Sequence, residues 1–433
     1  METASQAVAL TETKSSVRWK IFLMMLMLIS INYVDRASLS VAMPLIAKEF
    51  NIGPAVQGLL LSSFFWTYAF MQIPGGMLAD RFGPRVVIAG ATLGWGFFQA
   101  IAAVCTGWVP LLITRLGLGA AEGPIYPAGG KLNAIWMTQN ERGRGATLLD
   151  GGAPLGAALG ALIIAGLITE FESWRTSFVV AGVGTMVAGF FAWSYIRNHP
   201  RQHPAVNEAE AAYIEAAHAA DHAAEPANVS GNVLDFFKYR SVWGMFFGWM
   251  CFNALFYGLL TWMPTYLSKV HGLDIKQMGG AVFTMFFAGF VGEMVGGWIA
   301  DKWKAAGASQ AKVLRTLFGI ASVLATVAIY AVARIKDPAV VVLLLSITLF
   351  FLRWCGLFWC IPSILGTRNR VGFLGGTMNL GGNVAGIGMP IIVGVIVQAT
   401  GSYDMALTLF AAAGVGLFIC SALLIDYGKK LPI

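Results

Sequence analysis

Asn32-Tyr33-Val34-Asp35-Arg36 sets an acid beside a base inside an apolar run from about Ile21 to Ile46. A charge at bilayer depth costs at least ~2.5–3.5 kcal/mol, so such residues are rare there and functional by default. On a helix Tyr33 and Arg36 share a face, as do Asn32 and Arg36. A guanidinium, a phenol and an amide on one face suit a carboxylate. Asp35 lies about 100° round the helix from Arg36, where it can hold another partner or carry a proton. A self-neutralising ion pair within the motif is the plainer reading. It is disfavoured because side chains at i and i+1 do not face each other.

Other apolar stretches carry polar residues at helical spacing. Arg115 and Glu122 are two turns apart on one face, with ~10.5 Å of rise between them. That is too far to pair directly but suits two groups bracketing one cavity. Gly123, Pro124 and Pro127 predict a bend just after Glu122. Tyr68 with Gln72, and Asn253 with Tyr257, are pairs four residues apart. Further along come Trp262-Met263-Pro264-Thr265-Tyr266-Leu267, then Arg353 with Trp359. Asn379 and Asn383 sit in Gly375-Gly376-Thr377-Met378-Asn379-Leu380-Gly381-Gly382-Asn383. Glycines at that density serve helix packing, and the asparagines fit either interhelical hydrogen bonds or a site. Asp150 and Glu293 are further charges in apolar surroundings.

The elements that position these groups follow from composition. The 433 residues are 57% hydrophobic and 12% charged, with mean hydropathy +0.69. A soluble domain of this size is not so composed, and a polytopic all-α membrane protein is expected. The net charge of +7 sits in short loops and does not point to nucleic acid. The five cysteines (Cys105, Cys251, Cys355, Cys360 and Cys420) fall in apolar stretches with no disulfide or metal spacing. No nucleophile–base pair or phosphate loop appears, so neither an enzyme nor a cofactor is expected.

Twelve apolar segments lie at about 21–46, 56–79, 86–105, 109–137, 145–168, 174–196, 241–267, 278–300, 313–333, 338–365, 373–398 and 403–426, each long enough to span a bilayer. Of the 29 Lys and Arg, 19 fall on the side of both termini, six on the other and four within segments. That bias places both termini in the cytoplasm. The expected organisation is a tail at 1–18, a six-helix bundle at 19–196, a cytoplasmic loop at 197–240, a second bundle at 241–426 and a tail at 427–433. Asn207 followed by Glu210 predicts a capping box, opening a surface helix over 208–222. The loop histidines, His203 among them, are expected to be solvated. Asn228-Val229-Ser230 matches a glycosylation sequon that a cytoplasmic loop makes meaningless.

The halves echo each other. Gly75-Gly76-Met77-Leu78-Ala79-Asp80-Arg81 ends segment 2, and Gly296-Gly297-Trp298-Ile299-Ala300-Asp301-Lys302 ends segment 8. Residues 76–85 resemble the loop signature of the major facilitator superfamily. That resemblance implies two six-helix halves related by pseudo-two-fold symmetry, with a substrate site between them, and a conformational latch at Asp80, Arg81 and Asp301. Taken with Tyr68, Gln72, Arg115, Glu122 and the segment 11 block, the opening motif resembles the anion:cation symporter family of that superfamily. Members of that family carry sugar acids, phthalate, sialic acid or glutamate. The resemblance implies an inner-membrane, proton-coupled importer of a small organic anion, with a monomer as the default.

On the same resemblance Tyr33 and Arg36 bind the substrate carboxylate, and Asp35 and Glu122 take protons. Arg115 partners Asp35, and Tyr68, Trp359 and Asn379 line the cavity. This chain departs from the pattern at Ala153, where galactonate-type members carry glutamine, and at Gly356 and Phe358. Asp150, Glu293 and Arg353 are additional charges. Arg353 fits either a second substrate carboxylate or a gate with Asp150 or Glu293. Two rival functions are a proton-coupled efflux antiporter for apolar compounds and a transporter-like sensor that binds without transport.

Overall fold

The computed structural model describes residues 13–138, 141–223, 233–366 and 371–431. Most of the N-terminal tail and the Asn228 sequon lie outside them. The described residues are helical throughout, with no strand among them. In the first half run α1 (Val17–Glu49), α2 (Pro54–Phe82), α3 (Pro84–Ile101), α4 (Trp108–Glu122), α5 (Ile125–Trp136), α6 (Arg142–Asp150), α7 (Gly152–Phe171) and α8 (Trp174–Tyr195). The connection carries α9 (Glu208–Ala223). In the second half run α10 (Arg240–His271), α11 (Ile275–Ala305), α12 (Gln310–Val332), α13 (Pro338–Leu352), α14 (Ile361–Leu365), α15 (Val371–Thr400) and α16 (Asp404–Phe418).

Local chemistry sets these boundaries. Prolines open α2, α3 and α13 at the first helical position, where a missing N–H costs nothing. Asp274 caps α11 with a reciprocal Gln277 contact, satisfying orphan donors. Ten stretches are long and apolar enough to cross a membrane. The other two crossings are α2 and the broken pair α4–α5. The break falls at Gly123-Pro124, where the bend was expected.

Segment 10 is not the single helix its apolar run suggested. Residues Arg353–Cys360 form a 3₁₀ stretch between α13 and α14. Gly356 weakens the helix there, and Pro362 cannot donate to the carbonyl of Phe358.

Packing follows the repeat. Segment 1 packs on 5, 2 on 4 and 3 on 6; six segments later, 7 packs on 11, 8 on 10 and 9 on 12. The shared glycine motif explains one such pair. A β-carbon at Gly75 would come 2.5 Å from Pro124, and one at Gly296 would come 2.9 Å from Trp354. Each glycine lets segment 2 or 8 pass against the break in segment 4 or 10.

The halves meet through α7 against α11, α2 against α15 and α1 against α10. The tightest of these contacts gather at the end away from the termini. Ala55 N–H donates to Gln398 Oε1 at 3.0 Å, and Ser62 Oγ donates to the Ile387 carbonyl at 2.7 Å. A β-carbon at Gly58 would collide with the Pro390 carbonyl. The structure is therefore closed at that far end. Gly58→Val is expected to open it. A cysteine placed at Thr261 should then react about tenfold faster with a polar thiol reagent added from that side, the response to roughly 1.4 kcal/mol lost from the closed state. An unchanged rate would show that Gly58 is not part of the seal.

The connecting helix α9 forms where expected, and Asn207 Oδ1 accepts the Glu210 N–H at 3.0 Å. The other half of the capping box is absent. Glu210 is buried and reaches instead to the start of α1, accepting from Val17 N at 3.1 Å and Arg18 Nη1 at 2.6 Å. Arg18 also pairs with Glu141 at 3.0 Å. One acid thus meets the orphan N–H groups of a helix whose own N-cap makes no side-chain bond, and α9 is clamped to the first half rather than lying free. His203, expected in solvent, is buried and edge-on to Trp136 and Tyr195. Burial, then the charge of Arg197, hold its imidazole below the usual range.

Candidate functional site

A small cavity lies between the halves. From the first half, Tyr33 of α1 and Tyr68 of α2 reach it; from the second come Asn253, Tyr257, Trp359 and Asn379. All six were candidates from sequence. Arg353, Asp150 and Ala153 line it as well. Gln72 does not: it is half-buried outside the lining, with its amide nitrogen unpartnered. Phe358 is also outside, packed behind the wall against Trp249 and Phe318.

Four lining residues went unnoticed in the sequence: Tyr126, Trp249, Phe252 and Phe256. Trp249 stacks on Phe252 at 4.7 Å, and Phe252 stacks on Phe256 at 6.1 Å, a ladder along α10. Their spacing reads as ordinary core. The usable signal was that Trp249 stands one turn before Asn253, and Tyr126 one turn after Glu122.

Arg36 sits behind Tyr33, bordering a second, smaller cavity together with Arg115. Its guanidinium carbon lies 4.7, 4.5 and 4.6 Å from the rings of Tyr33, Phe64 and Tyr68, an aromatic cage for a cation. Arg36 Nε donates to Glu122 Oε2 at 2.9 Å. The two acidic candidates therefore differ in role: the acid two turns from Arg115 is held by Arg36. Both Nη nitrogens of Arg36 are buried without a hydrogen-bond partner, as are both polar atoms of Asn32. Three donor sites and an aromatic cage make a carboxylate-shaped receptor.

Asp35 faces elsewhere, as the 100° offset required. It accepts from Thr185 Oγ1 at 2.8 Å and Trp95 Nε1 at 3.1 Å. Arg115 does not pair with it in this state. Arg115 Nη1 reaches Gln99 Oε1 at 3.5 Å, and Gln99 donates to Ser38 Oγ at 2.7 Å. Asp35 is thus a fully buried carboxyl group with neutral hydrogen-bond donors and no ion pair among the described residues. Trp95, Gln99 and Thr185 come from segments 3 and 6, where sequence reading found nothing.

On the second half, Arg353 donates to Glu293 Oε2 from Nη2 at 2.6 Å and from Nε at 3.2 Å. Its Nη2 is 3.6 Å from Asp150 of the first half. At the latch motif, Asp80 pairs with Lys131 of α5 at 2.5 Å, rather than with a helix terminus or loop arginine. Arg81 lies over the Phe82 ring. Asp301 pairs with Lys304 one turn on. Among the described residues no His, Cys, Asp and Glu cluster could hold a metal ion.

Two six-helix halves around a central cavity, with buried charges lining it, define a membrane transporter. Comparison with known proteins agrees. Residues 25–369 match the family model of the Major Facilitator Superfamily, and the chain belongs to that superfamily. It is 30% identical to a probable galactarate/D-glucarate transporter of Bacillus subtilis (strain 168), over 97% of this chain and 94% of that one. It is 32% identical to a probable sulfoacetate transporter of Cupriavidus necator, over 92% of both chains. A solved bacterial homologue of the human lysosomal transporter Spinster superposes with a TM-score of 0.72 at 16% identity, covering 95% of this chain and 96% of that one. That likeness concerns the fold alone.

Proposed function

We propose that the protein imports a small organic carboxylate by proton symport. The substrate class is a sugar acid such as an aldonate, hexuronate or glucarate, or else an aromatic or dicarboxylic acid. It works as a monomer in the inner membrane with both termini in the cytoplasm. The observation that carries the reading is Arg36: buried, caged by three aromatic rings, and holding two unpartnered donors. The relatives' names support an organic acid as cargo.

The cycle follows from which acid holds which base. Glu122 and the substrate carboxylate compete for Arg36. A proton on Glu122 removes its charge and frees the guanidinium, and the substrate carboxylate then takes its place beside Tyr33. A second proton on Asp35 neutralises the remaining acid of the motif. With both acids neutral, Arg36 and Arg115 face one substrate carboxylate, and the net positive charge that remains favours holding the anion during passage through a low-dielectric region. In the cytoplasm the substrate leaves, both protons follow, and Glu122 closes on Arg36 again. Asp80, Arg81 and Asp301, whose present contacts stay within one half, exchange them for contacts that latch the cytoplasmic face in the opposite state.

The test is proton movement in liposomes holding a pH-sensitive dye. Sugar acids, tartrate, phthalate and simple dicarboxylates are added outside one at a time. Lumenal acidification by one class of acid is expected. Silence toward every acid, with lipophilic cations driving protons the opposite way, would replace import with drug efflux.

A further inference from the structure

Arg353 is the guanidinium that lines the main cavity; Arg36 and Arg115 border the smaller one. Glu293 holds Arg353 with two hydrogen bonds from the same half, and its partners are fixed. Asp150 belongs to the other half and stands at 3.6 Å, a charge contact longer than a hydrogen bond. It is also the most exposed of the three side chains, at 24% against 4% for Arg353 and 12% for Glu293. One cation thus faces two carboxylates, and the looser of them is wetted by the cavity. Another carboxylate can take the place of Asp150 on Arg353 when Asp150 swings away, since the site already holds two acids to one base.

The backbone here departs from the α-helix. The 3₁₀ stretch begins at Arg353, and such a stretch inside a helix marks a hinge. Gly356 leaves the Glu293 carboxylate its space, since a β-carbon there would come 2.9 Å from Glu293 Oε1.

The first half shows the same design. Arg36 is engaged by an internal acid, Glu122, that a substrate carboxylate can replace. A short path joins the two arginines. The Arg353 guanidinium is 5.1 Å from the Phe256 ring, Phe256 is 6.4 Å from Tyr33, and Tyr33 covers Arg36 at 4.7 Å. One pair of rings separates the stations, and both rings line the cavity.

We propose that Arg353 is a second carboxylate station, which takes the distal carboxylate of a dicarboxylic substrate in exchange for Asp150. The exchange breaks the charge contact that Asp150 makes across the two halves. It rests on the carboxylate-transport reading and narrows the substrate to a dianion whose carboxylates sit at the two ends of a short chain. A monocarboxylate fills the Arg36 station and leaves Asp150 on Arg353.

The experiment is calorimetric titration of purified full-length protein with galactarate and with galactonate, which differ by one carboxylate. Wild type is expected to bind galactarate about tenfold more tightly, the effect of one charge-assisted contact. In Arg353→Gln that ratio should fall to near one. In Asp150→Asn, which removes the competitor and keeps the side-chain shape, it should rise severalfold. Arg353→Lys, which keeps the charge and guards against a misfolded glutamine variant, should retain part of the preference. An unchanged ratio in Arg353→Gln, or no diacid preference in wild type, would overturn the second station while leaving carboxylate transport intact. Failure of wild type to bind either acid would overturn the second station for this substrate, while proton movement driven by another organic acid in the liposome assay would leave carboxylate transport standing.

Discussion

Arg36→Ala is expected to abolish substrate binding and transport. The guanidinium is buried, and truncating one partner of a buried, hydrogen-bonded charge pair costs about 2–5 kcal/mol of binding, a factor of roughly thirty to several thousand. The same change leaves Glu122 buried without its hydrogen-bonded cation, with Arg115 its remaining cationic neighbour, which costs up to about 3–5 kcal/mol of stability. A bare loss of activity would therefore mix two causes, and a second variant separates them. Arg36→Ala combined with Glu122→Gln removes the stranded charge, so its thermal midpoint should recover toward wild type. Its substrate affinity should not recover, because the carboxylate anchor is still missing. Arg36→Lys keeps a point charge in the aromatic cage but loses the planar fork, and should bind weakly. Calorimetry and a thermal melt on the three variants decide the matter. Wild-type affinity in the double variant would remove Arg36 from the site.

The fold was legible because the membrane imposes it. Twelve apolar runs, lysines and arginines on one side and a glycine motif repeated in each half admit few arrangements. The packing pairs of the structure repeat with the shift of six that the motif implied. What the sequence hid was the fine structure of segments 4 and 10. An apolar run reads as one helix whether or not its backbone is α throughout, and only Gly123-Pro124 announced its break. At Arg353–Cys360 the glycine and the proline stand six residues apart, at 356 and 362, and neither alone announces a 3₁₀ stretch.

At the site, residues were legible and partners were not. Helical spacing put Tyr33 and Arg36 on one face, and the structure keeps them together at 4.7 Å. Spacing within one helix says nothing about which acid crosses from another. Glu122 therefore looked like a companion of Arg115, two turns away, when its partner is Arg36 on α1. The family resemblance paired Asp35 with Arg115, and in this state its partners are Thr185 and Trp95. Those two residues lie in unbroken apolar runs, where a single threonine or tryptophan is unremarkable. The aromatic ladder of Trp249, Phe252 and Phe256 was invisible because its spacing is that of any buried helix face.

Asp35→Asn is expected to leave a folded protein that exchanges substrate but no longer accumulates it against a gradient with protons. Asparagine matches aspartate in shape, and its carbonyl oxygen can accept from both Thr185 Oγ1 and Trp95 Nε1, the donors that Asp35 engages. Thr185 and Trp95 keep their acceptor, but the new Nδ2 takes the place of Oδ1, a buried atom with no hydrogen-bond partner, so a loss of about 1–3 kcal/mol of stability is expected. What the amide cannot do is gain and lose a proton. The alternative role is structural: Asp35 ties α1 to α3 and α8 through those two hydrogen bonds and carries no proton. The two roles predict opposite patterns. If Asp35 is a tie, asparagine preserves proton-driven uptake, while Asp35→Ala, which strands both donors, lowers the thermal midpoint and uptake together. If Asp35 is a proton carrier, asparagine and alanine both abolish proton-driven uptake, and alanine destabilises the more. Counterflow of labelled substrate between preloaded liposomes needs no net proton movement and should survive in the asparagine variant at near the wild-type rate. Full proton-driven accumulation by Asp35→Asn would leave Glu122 as the sole acid of the coupling mechanism.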